Sequence, residues 1–592
     1  MFLIFGILFL VLSIKNSINI KITGQAGEGI KTTGLILSKI FTRSGFHIFS
    51  YDEYPSLIRG GHNCYQMYAS TEKVFSQHKK VDILIALDEA SVSLHQDELT
   101  KKSLVLFDPD EFQVKKSKGK LLPIPWAKIA TDSGGSPIMS NMVALGAVCG
   151  VTGLSLNPIF SLIKDVFGRK GEKIVSANKK AAQAGFDYVK KPTTPFLPGL
   201  HQASSPQLRG GEIPQMVVTG NEMIGLGAIS AGLKYFAGYP MTPVSNLLHF
   251  LAAKAENYSM IVNHTENEIG AINTAIGASA AGARAMTATS GGGFSLMTEG
   301  LGFSGMSETP LVIVEGMRPG PSSGMPTWTG QADLLFMIYA SQDEFPRIVL
   351  TPGSINECFS STQKAFYFAE KYQIPVIILT DKHLLESHKS CSLHTPEVKS
   401  ANTSGVYLSN KRYSFVKNPG KNYLRYKVTD TGISPRPFLG QKGAACLTNS
   451  YEHGEDSLVT EESLPRKKQV EKRMRKLETL KNELWQPKLF GKLQAKINLI
   501  GWGSTLGPVL ETIKQNQNIN YLHLDYIWPF PKKAVKNFLQ KSKKPICIEG
   551  NAAGQLAKLI AQETGILIKD KLLKYDGRPF WPEEILKFAK FA

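Results

Sequence analysis

The sequence predicts an α/β protein of at least three domains. The chain has 592 residues, and one hydrophobic core seldom serves more than ~250 to 300 residues. In three separate stretches, short β-type runs alternate with helical runs, as in parallel sheets flanked by helices. A Pro- and Ser-rich stretch separates the first two, and a polar, lysine-rich stretch separates the last two.

The first domain is expected at residues 18–191. Ile18-Asn-Ile-Lys-Ile-Thr23 has the pattern of a strand, Gly24-Gln-Ala-Gly-Glu-Gly29 that of a glycine turn, and an apolar-periodic helix then leads to a strand at His47-Ile-Phe-Ser50. This order predicts a Rossmann-like βαβ unit. Further parallel strands are expected at residues 81–87 and 103–108.

Residues 192–215 are rich in Pro, Ser, Gly and Thr and lack apolar periodicity, so we expect an extended linker. The second domain, 216–389, alternates helices with strand-type runs. These runs lie at residues 283–289, 310–315 and 374–380.

Residues 390–490 are polar and proline-containing and indicate a connecting segment laid over the other domains. A helix is expected from 461 to 484, and its basic run at 465–476 is expected to be solvated. The third α/β domain, 491–592, restarts the alternation of strands and helices.

The balance of 68 Lys and Arg against 49 Asp and Glu gives a net charge of +19, which suits acidic partners. Charge alone does not choose among nucleic acid, a membrane surface, coenzyme A phosphates and an acidic electron carrier. The basic residues are scattered, and we expect no nucleic-acid partner.

The six cysteines form no Cys-x-x-Cys pair, and no histidine cluster has zinc-ligand spacing. We therefore expect no metal site and no iron-sulfur cluster on this chain. Sparse cysteines in so long a chain predict free thiols in a reducing compartment, the cytoplasm. The apolar residues 1–14 lack a basic flank and are too short to cross a ~30 Å hydrocarbon layer, so a membrane anchor is not expected.

Two carboxylates, Glu266 and Glu268, precede a run made only of small and apolar residues up to Ala281-Gly-Ala283, apart from Asn, Thr and Ser. A carboxyl group packed among such residues loses hydration, which favours its protonated, hydrogen-bond-donating form. The alternative is that both glutamates simply favour a helix N-terminus through its dipole.

Three further motifs could bind a ligand. Tyr239-Pro-Met-Thr-Pro243 predicts a rigid turn around one hydroxyl. The run from Arg318 to Thr327 predicts an exposed loop whose guanidinium suits a carboxylate, although a solvated loop arginine is the simpler alternative. Ser290-Gly-Gly292 opens a helix after a strand and offers free N–H groups.

Together these motifs resemble the 2-oxoacid:ferredoxin oxidoreductase family, specifically an alpha subunit of the 2-oxoglutarate synthase type with a gamma domain fused at its N-terminus. Tyr54-Pro-Ser-Leu-Ile-Arg-Gly-Gly61 and Ser140-Asn-Met-Val-Ala-Leu-Gly146 resemble the gamma domain, and Gly554-Gln-Leu-Ala557 resembles the C-terminal region. The resemblance implies a Rossmann-like gamma domain, a thiamine-diphosphate pyrimidine-binding domain and a transketolase C-terminal-like domain.

The resemblance implies that Glu268, counted back from Ala281-Gly-Ala283, is the catalytic glutamate that bonds the pyrimidine ring of thiamine diphosphate, with Glu266 as the second candidate. Trp328 and Gly330 depart from the family pattern, which leaves the side-chain preference for the substrate open. The resemblance also implies residues beside the cofactor, Ser290, Gly291 and Gly292, and residues that contact the 2-oxoacid or coenzyme A, Tyr239, Thr242, Arg318 and Thr327.

The chain contains no Gly-Asp-Gly motif and no cluster cysteines. The resemblance therefore implies a separate beta subunit that supplies this motif, Mg²⁺, the diphosphate site and an iron-sulfur cluster, in an (alpha-beta)2 assembly. The implied reaction is oxidative decarboxylation of 2-oxoglutarate, or a related 2-oxoacid, to an acyl-coenzyme A and CO₂, with coenzyme A as the second substrate and ferredoxin as the electron acceptor.

Gly24, Gly27 and Gly29, with Arg59, are expected to contact coenzyme A or a subunit interface. The same glycine turn keeps an NAD-dependent dehydrogenase as a rival, because Asp52 lies about where a ribose-binding acid would, although an alanine occupies the middle glycine place. A non-catalytic assembly subunit of such a complex is the other alternative.

Overall fold

The computed structural model describes residues 16–57, 60–190, 216–392, 415–420 and 422–591. These residues form two compact units. The first runs to Val217 and takes in His388–Ser392, and the second comprises the described parts of Val218–Ser387 and Leu393–Ala592. The apolar residues 1–14, the predicted linker and Arg59 lie outside the described residues.

The first unit is a mixed α/β structure. Its strands are β1 (Ser17–Gln25), β2 (His47–Glu53), β3 (His62–Ser70), β4 (Ile83–Ala86), β5 (Leu104–Phe107) and β6 (Lys120–Pro123). Its helices are α1 (Ile30–Arg43), α2 (Glu89–Leu94), α3 (Trp126–Asp132), α4 (Ser140–Thr152), α5 (Asn157–Phe167) and α6 (Glu172–Val189).

The sheet of this unit runs in the order β6-β5-β4-β1-β3-β2, and the later strand β14 (His388–Cys391) extends it beside β2. Strands β1, β4, β5 and β6 are parallel. Of these, β4 and β5 lie in the runs predicted as parallel strands, and β6 was not predicted. The predicted βαβ unit is interrupted, because β3 lies between β1 and β2 and is antiparallel to both. No sequence motif predicted β3 as a strand.

Helices α4 and α6 pack closely because glycines remove side chains at their contact. A Cβ at Gly146 would collide with the Ala182 carbonyl oxygen, and one at Gly185 would collide with the Val143 carbonyl oxygen. Both glycines are therefore required by the short separation of the two helices.

Among the described residues, no single helix has the length and apolar character needed to cross a membrane. One pair, Trp126–Asp132 with Pro137–Thr152, reaches that threshold only when taken together, and a bend of 116° separates its members.

The second unit contains a seven-stranded sheet in the order β18-β12-β13-β11-β10-β8-β9. Its strands are β8 (Tyr235–Gly238), β9 (Ile261–His264), β10 (Ala285–Thr289), β11 (Leu311–Met317), β12 (Ile348–Leu350), β13 (Pro375–Asp381) and β18 (Tyr526–Trp528). The short strand β7 (Met216–Thr219) precedes them in the chain and belongs to the first sheet, beside β14. Its helices are α7 (Gly220–Ser230), α8 (Ser245–Ala252), α9 (Glu268–Ala280), α10 (Gly291–Met306), α11 (Leu334–Tyr339), α12 (Ile355–Tyr372) and α13 (Lys382–Glu386).

A second sheet of this unit, in the order β15-β17-β16-β19-β20, lies in the C-terminal region. Its strands are β15 (Lys488–Gly491), β16 (Ile497–Trp502), β17 (Ile519–Leu524), β19 (Pro545–Glu549) and β20 (Asp570–Leu573), and helices α15 (Leu506–Gln515), α16 (Lys532–Lys541), α17 (Gln555–Thr564) and α18 (Pro582–Phe591) alternate with them. Strand β18 pairs with β12, so the C-terminal region joins the larger sheet. The predicted domain boundaries stay a prediction.

The basic run of the connecting segment forms helix α14 (Ser463–Lys481), as predicted, but the expectation that it is solvated was wrong on one face. Lys472 and Lys476 are buried, and both ammonium groups pair with the buried Glu308, at 2.5 and 2.6 Å. The basic run could not predict this burial, because Glu308, the acid that compensates the two lysines, lies far away in the sequence.

Candidate active site

The residues predicted to bind ligands in the second domain follow the carboxyl ends of parallel strands. Tyr239 directly follows β8, Glu268 comes shortly after β9, Ser290 follows β10 and Arg318 follows β11. Because these strands are all parallel to one another, the four positions lie along the same edge of the sheet. Ligands of open α/β sheets bind at this edge.

Glu268 is the first residue of α9 and is only 3% exposed. Its Oε1 has no hydrogen-bond partner among the described residues. The helix is capped by Asn267, whose side-chain oxygen accepts from the Gly270 N–H at 2.8 Å. Glu266 is exposed. A favourable interaction with the helix dipole therefore explains the exposed Glu266. It does not explain Glu268, because burying its Oε1 without a partner in the described part of the chain is costly.

The glycine turn after β10 contacts Glu268. Ser290 is the extended residue before α10, and its hydroxyl is buried without a partner among the described residues. A Cβ at Gly293 would lie 2.5 Å from Glu268 Oε1 and even closer to the Thr289 hydroxyl. At Gly292 the nearest atom to an added Cβ would be 3.9 Å away. The turn therefore has no space for further atoms at Gly293, next to the Glu268 carboxyl, but has space at Gly292.

Arg318 and Thr242 meet at the same edge. The Thr242 carbonyl oxygen accepts from Arg318 Nη1 at 2.9 Å. Burial lowers the pKa of the half-buried Arg318. Thr327 is buried, and its Oγ1 has no partner among the described residues. Tyr239 is 40% exposed, with its ring centroid 6.4 Å from that of His264. This group offers guanidinium and hydroxyl donors suited to a carboxylate.

A cluster of carboxyl groups at this edge was not predicted as part of the site. Burial, and then the adjacent Asp333, raise the pKa of Glu315 well above its usual range, and burial raises the pKa of Asp333 to about 6. A Cβ at Gly291 would lie 2.8 Å from Asp333 Oδ2, so the pair contacts the start of α10. Burial also raises the pKa of Asp381, which accepts from Thr329 Oγ1 at 3.2 Å.

One sequence signal could have identified Glu315 as part of the site. Glu315 ends the apolar strand run Leu311-Val-Ile-Val, and an acid at the end of a buried parallel strand lies at the ligand edge. Asp333 had no comparable signal, because its neighbour is brought to it only by the fold.

The loop after Thr327 also contacts the C-terminal region. The Arg578 guanidinium lies 3.2 Å from the centroid of the Trp328 ring. The Thr329 N–H donates to the Gly577 carbonyl oxygen at 3.2 Å. The sequence did not point to Arg578, since the contact joins distant segments. Trp328, which departs from the family pattern, is therefore covered by a cation.

The predicted glycines of the first unit lie at the end of β1 and the start of α1. Gly27 has φ 106° and Gly29 has φ 76°, conformations that favour glycine. Gly27 and Gly29 line a cleft of 890 Å³. Asp52, expected near a ribose in the rival interpretation, pairs with Lys31 Nζ at 3.0 Å.

Comparison with known proteins matches two family models to separate parts of the chain. The family described as pyruvate ferredoxin/flavodoxin oxidoreductase matches residues 19–188, and the one described as pyruvate flavodoxin/ferredoxin oxidoreductase, thiamine diP-bdg, matches residues 226–474. A 2-oxoacid:ferredoxin oxidoreductase subunit alpha from Sulfolobus sp is 32% identical over 623 residues, with 95% of each chain covered. The chain belongs to the 2-oxoacid:ferredoxin oxidoreductase alpha subunits.

Other members agree with this assignment. The 2-oxoglutarate oxidoreductase subunit KorA of Mycobacterium tuberculosis is 28% identical, over 97% of this chain and 91% of that one. A solved structure, 2-oxoglutarate:ferredoxin oxidoreductase from Magnetococcus marinus with 2-oxoglutarate, coenzyme A and succinyl-CoA bound, has a TM-score of 0.89 and 30% identity, covering 98% of this chain and 99% of that one. The resemblance and the α/β fold class predicted from the sequence are confirmed.

The site of this alpha subunit fits the cofactor of its family. The matched region 226–474 is of the thiamine-diphosphate-binding type. At its ligand edge, Glu268 presents a buried carboxyl oxygen without a partner among the described residues. Beside it the turn at Gly292 leaves space, and Ser290 holds a second unpaired polar atom. These are the features that a ring with hydrogen-bonding nitrogens would satisfy.

Proposed function

We propose that this alpha subunit, together with a separate beta subunit, converts 2-oxoglutarate, or a closely related 2-oxoacid, and coenzyme A to the acyl-coenzyme A and CO₂, with the electrons passing to ferredoxin. The names of the relatives support this substrate. The similar Magnetococcus marinus structure contains 2-oxoglutarate, coenzyme A and succinyl-CoA, and the Mycobacterium tuberculosis relative is named a 2-oxoglutarate oxidoreductase subunit.

The observation that carries the proposal is the buried Oε1 of Glu268, which lies against Gly293 and has no hydrogen-bond partner in the described part of the chain. Thiamine diphosphate, when bound, supplies the electron sink for decarboxylation. Glu268 would hold a hydrogen bond to its pyrimidine ring, and the neighbouring Ser290, Gly291 and Gly292 would lie beside that ring. The packing against Gly293 would keep the carboxyl in one position, which is how a positioned acid gains efficiency.

The substrate carboxylate would be bound by Arg318, with Thr242, Thr327 and Tyr239 nearby. One Arg318 N–H group is used by the Thr242 carbonyl oxygen at 2.9 Å, which orients the guanidinium. Its other N–H groups would then serve a bidentate contact with a carboxylate. The buried Thr327 hydroxyl adds a donor that has no partner among the described residues.

The beta subunit would supply Mg²⁺, the diphosphate site and an iron-sulfur cluster, because this sequence has no Gly-Asp-Gly motif and no cluster cysteines. We propose an (alpha-beta)2 assembly in the cytoplasm. No disulfide joins the described cysteines to one another, which supports a reducing compartment. Gly24, Gly27, Gly29 and Arg59 would contact coenzyme A or a subunit interface, and the cleft at the glycine turn supports such a contact.

Glu268→Gln tests the proposal in the reconstituted complex. We expect loss of 2-oxoglutarate-dependent viologen reduction, because the amide no longer offers an exchangeable acid proton. Glu266→Gln is the matched control, since that carboxyl lies two residues away, is exposed and should leave the rate unchanged. A Glu268→Gln complex with the wild-type rate would refute the role of this residue.

Two simple measurements separate the alternatives. An assembly subunit without a catalytic role requires full turnover from the beta subunit alone. A dehydrogenase that uses the glycine turn requires binding of the nicotinamide cofactor without thiamine diphosphate. A titration of the purified chain with NADH, followed by the fluorescence of the reduced nicotinamide, would detect this binding.

A further inference from the structure

Three potential metal ligands converge in the first unit, whereas the ligand edge described above belongs to the second. His62 and Cys64 alternate along β3, so their side chains leave the same face of the strand. His95 immediately follows α2. One ligand atom from each residue lies within 4.8 Å of the others. Cys64 and His95 are buried, and His62 is partly buried.

The distances between these atoms are close to those of a metal site. His95 Nε2 lies 2.8 Å from His62 Nε2 and 3.4 Å from Cys64 Sγ. In a tetrahedral zinc site with the usual bond lengths, two nitrogen ligands are about 3.3 Å apart and a nitrogen and a sulfur about 3.5 Å apart. The distance from His95 Nε2 to Cys64 Sγ is already close to the value in a zinc site. The distance between the two Nε2 atoms would have to increase by roughly 0.5 Å.

The surroundings of His95 match the outer contacts of a metal-binding histidine. Glu98 Oε1 lies 3.2 Å from His95 Nδ1, on the side of the ring that faces away from Cys64 and His62. Glu98 also pairs with Lys21 Nζ, at 2.5 Å, so the ammonium charge near the cluster is balanced. Lys21 Nζ lies 3.3 Å from the same Nδ1. When Glu98 accepts the Nδ1 proton, the ring is fixed and Nε2 keeps its lone pair for a metal.

We propose that His62, Cys64 and His95 bind one divalent transition-metal ion of the zinc type, with a fourth coordination position open to water or to an added ligand. A mixed set of thiolate and imidazole ligands selects this class of metal. Binding forms one metal–sulfur and two metal–nitrogen bonds and releases the thiol proton of Cys64 to solvent. Glu98 is the positioning residue of the site.

The proposal is tested on the complex as purified, without a histidine tag, dialysed against Zn²⁺. Zinc-edge X-ray absorption should give a shell of a single sulfur at about 2.3 Å and two nitrogens at about 2.0–2.1 Å. This measurement is specific for zinc, so iron in a partner subunit does not interfere. A zinc shell without sulfur would overturn the proposal without requiring any variant.

Variants locate the ion. Cys64→Ser and His95→Gln should each weaken zinc binding at least tenfold, and Glu98→Gln should weaken it about 10- to 100-fold as an outer contact. Cys446→Ser is the control, because that thiol is free and lies in the other unit; it should bind zinc as the wild type does. Equal zinc content in the wild type and Cys64→Ser would leave only a hydrogen-bonded histidine pair and would overturn the proposal.

Discussion

Replacing Gly293 by alanine should displace the carboxyl of Glu268 without altering any polar group. The added Cβ would lie 2.1 Å from the Thr289 hydroxyl oxygen, 2.5 Å from Glu268 Oε1 and 2.7 Å from Glu268 Cγ. Ordinary contacts between such atoms begin at about 3.5 Å. Glu268 must therefore retreat by roughly 1 Å, because the backbone of α10 holds the methyl group in place.

The two consequences of this displacement have different sizes. Overpacking costs about 1–3 kcal/mol, and the better helix propensity of alanine returns about 0.5–1 kcal/mol, so the net loss of stability is about 0–2.5 kcal/mol. A misplacement of about 1 Å at a reacting group costs on the order of 100-fold in rate, or about 2.7 kcal/mol. Gly293→Ala should therefore lose about 2.7 kcal/mol of transition-state stabilisation, which is at least as large as its loss of folding stability.

The assay is 2-oxoglutarate-dependent viologen reduction by the reconstituted complex, with thermal melting of the same preparation. Gly277→Ala is the matched control on the neighbouring helix α9, where an added Cβ would meet nothing within 4 Å. This control should keep the wild-type rate and melt slightly higher. If Gly293→Ala turned over within twofold of the wild type, the contact between Glu268 and the glycine turn would have no role in catalysis.

Three further outcomes are expected. Asp333→Asn should be more stable than the wild type at pH 7.5 but not at pH 4. The folded-state pKa of Asp333 is raised from 3.8 to about 6, so the wild type loses a stabilising proton as the pH rises through 6, at a cost of up to ~3 kcal/mol. Parallel pH dependences of the two proteins in urea unfolding would contradict this. Glu308→Gln should lower the free energy of unfolding by about 3–5 kcal/mol near neutral pH, because it leaves two buried ammonium groups without a counter-ion. This loss should shrink above pH 8, since burial lowers the pKa of Lys476 to about 8. An equal loss at pH 7 and pH 9.5 would contradict the prediction. Gly185→Ala should lower the melting temperature, because the added Cβ collides with a carbonyl oxygen of α4. Gly168→Ala, whose added Cβ meets nothing within 4 Å, should not. Equal melting temperatures for the two variants would show that α4 and α6 can move apart.

The sequence by itself determined the alternation of strands and helices and the motif residues at the ligand edge. Apolar runs such as Leu311-Val-Ile-Val predict buried parallel strands, and the residues that follow such strands must share one edge. The small residues after Glu266 and Glu268 also predicted a desolvated carboxyl there, but composition did not choose between the two glutamates. The fold buries Glu268 and exposes Glu266.

Only the tertiary structure decided which distant residues meet. Glu315 and Asp333, Glu308 and the lysines of α14, and the cluster of His62, Cys64 and His95 each join segments that share no local motif. The strand spacing and helix period constrain neighbours along the chain, whereas these pairs depend on sheet order and helix packing. The basic helix predicted to be solvated is buried on one face for the same reason, since its compensating carboxylate comes from another element.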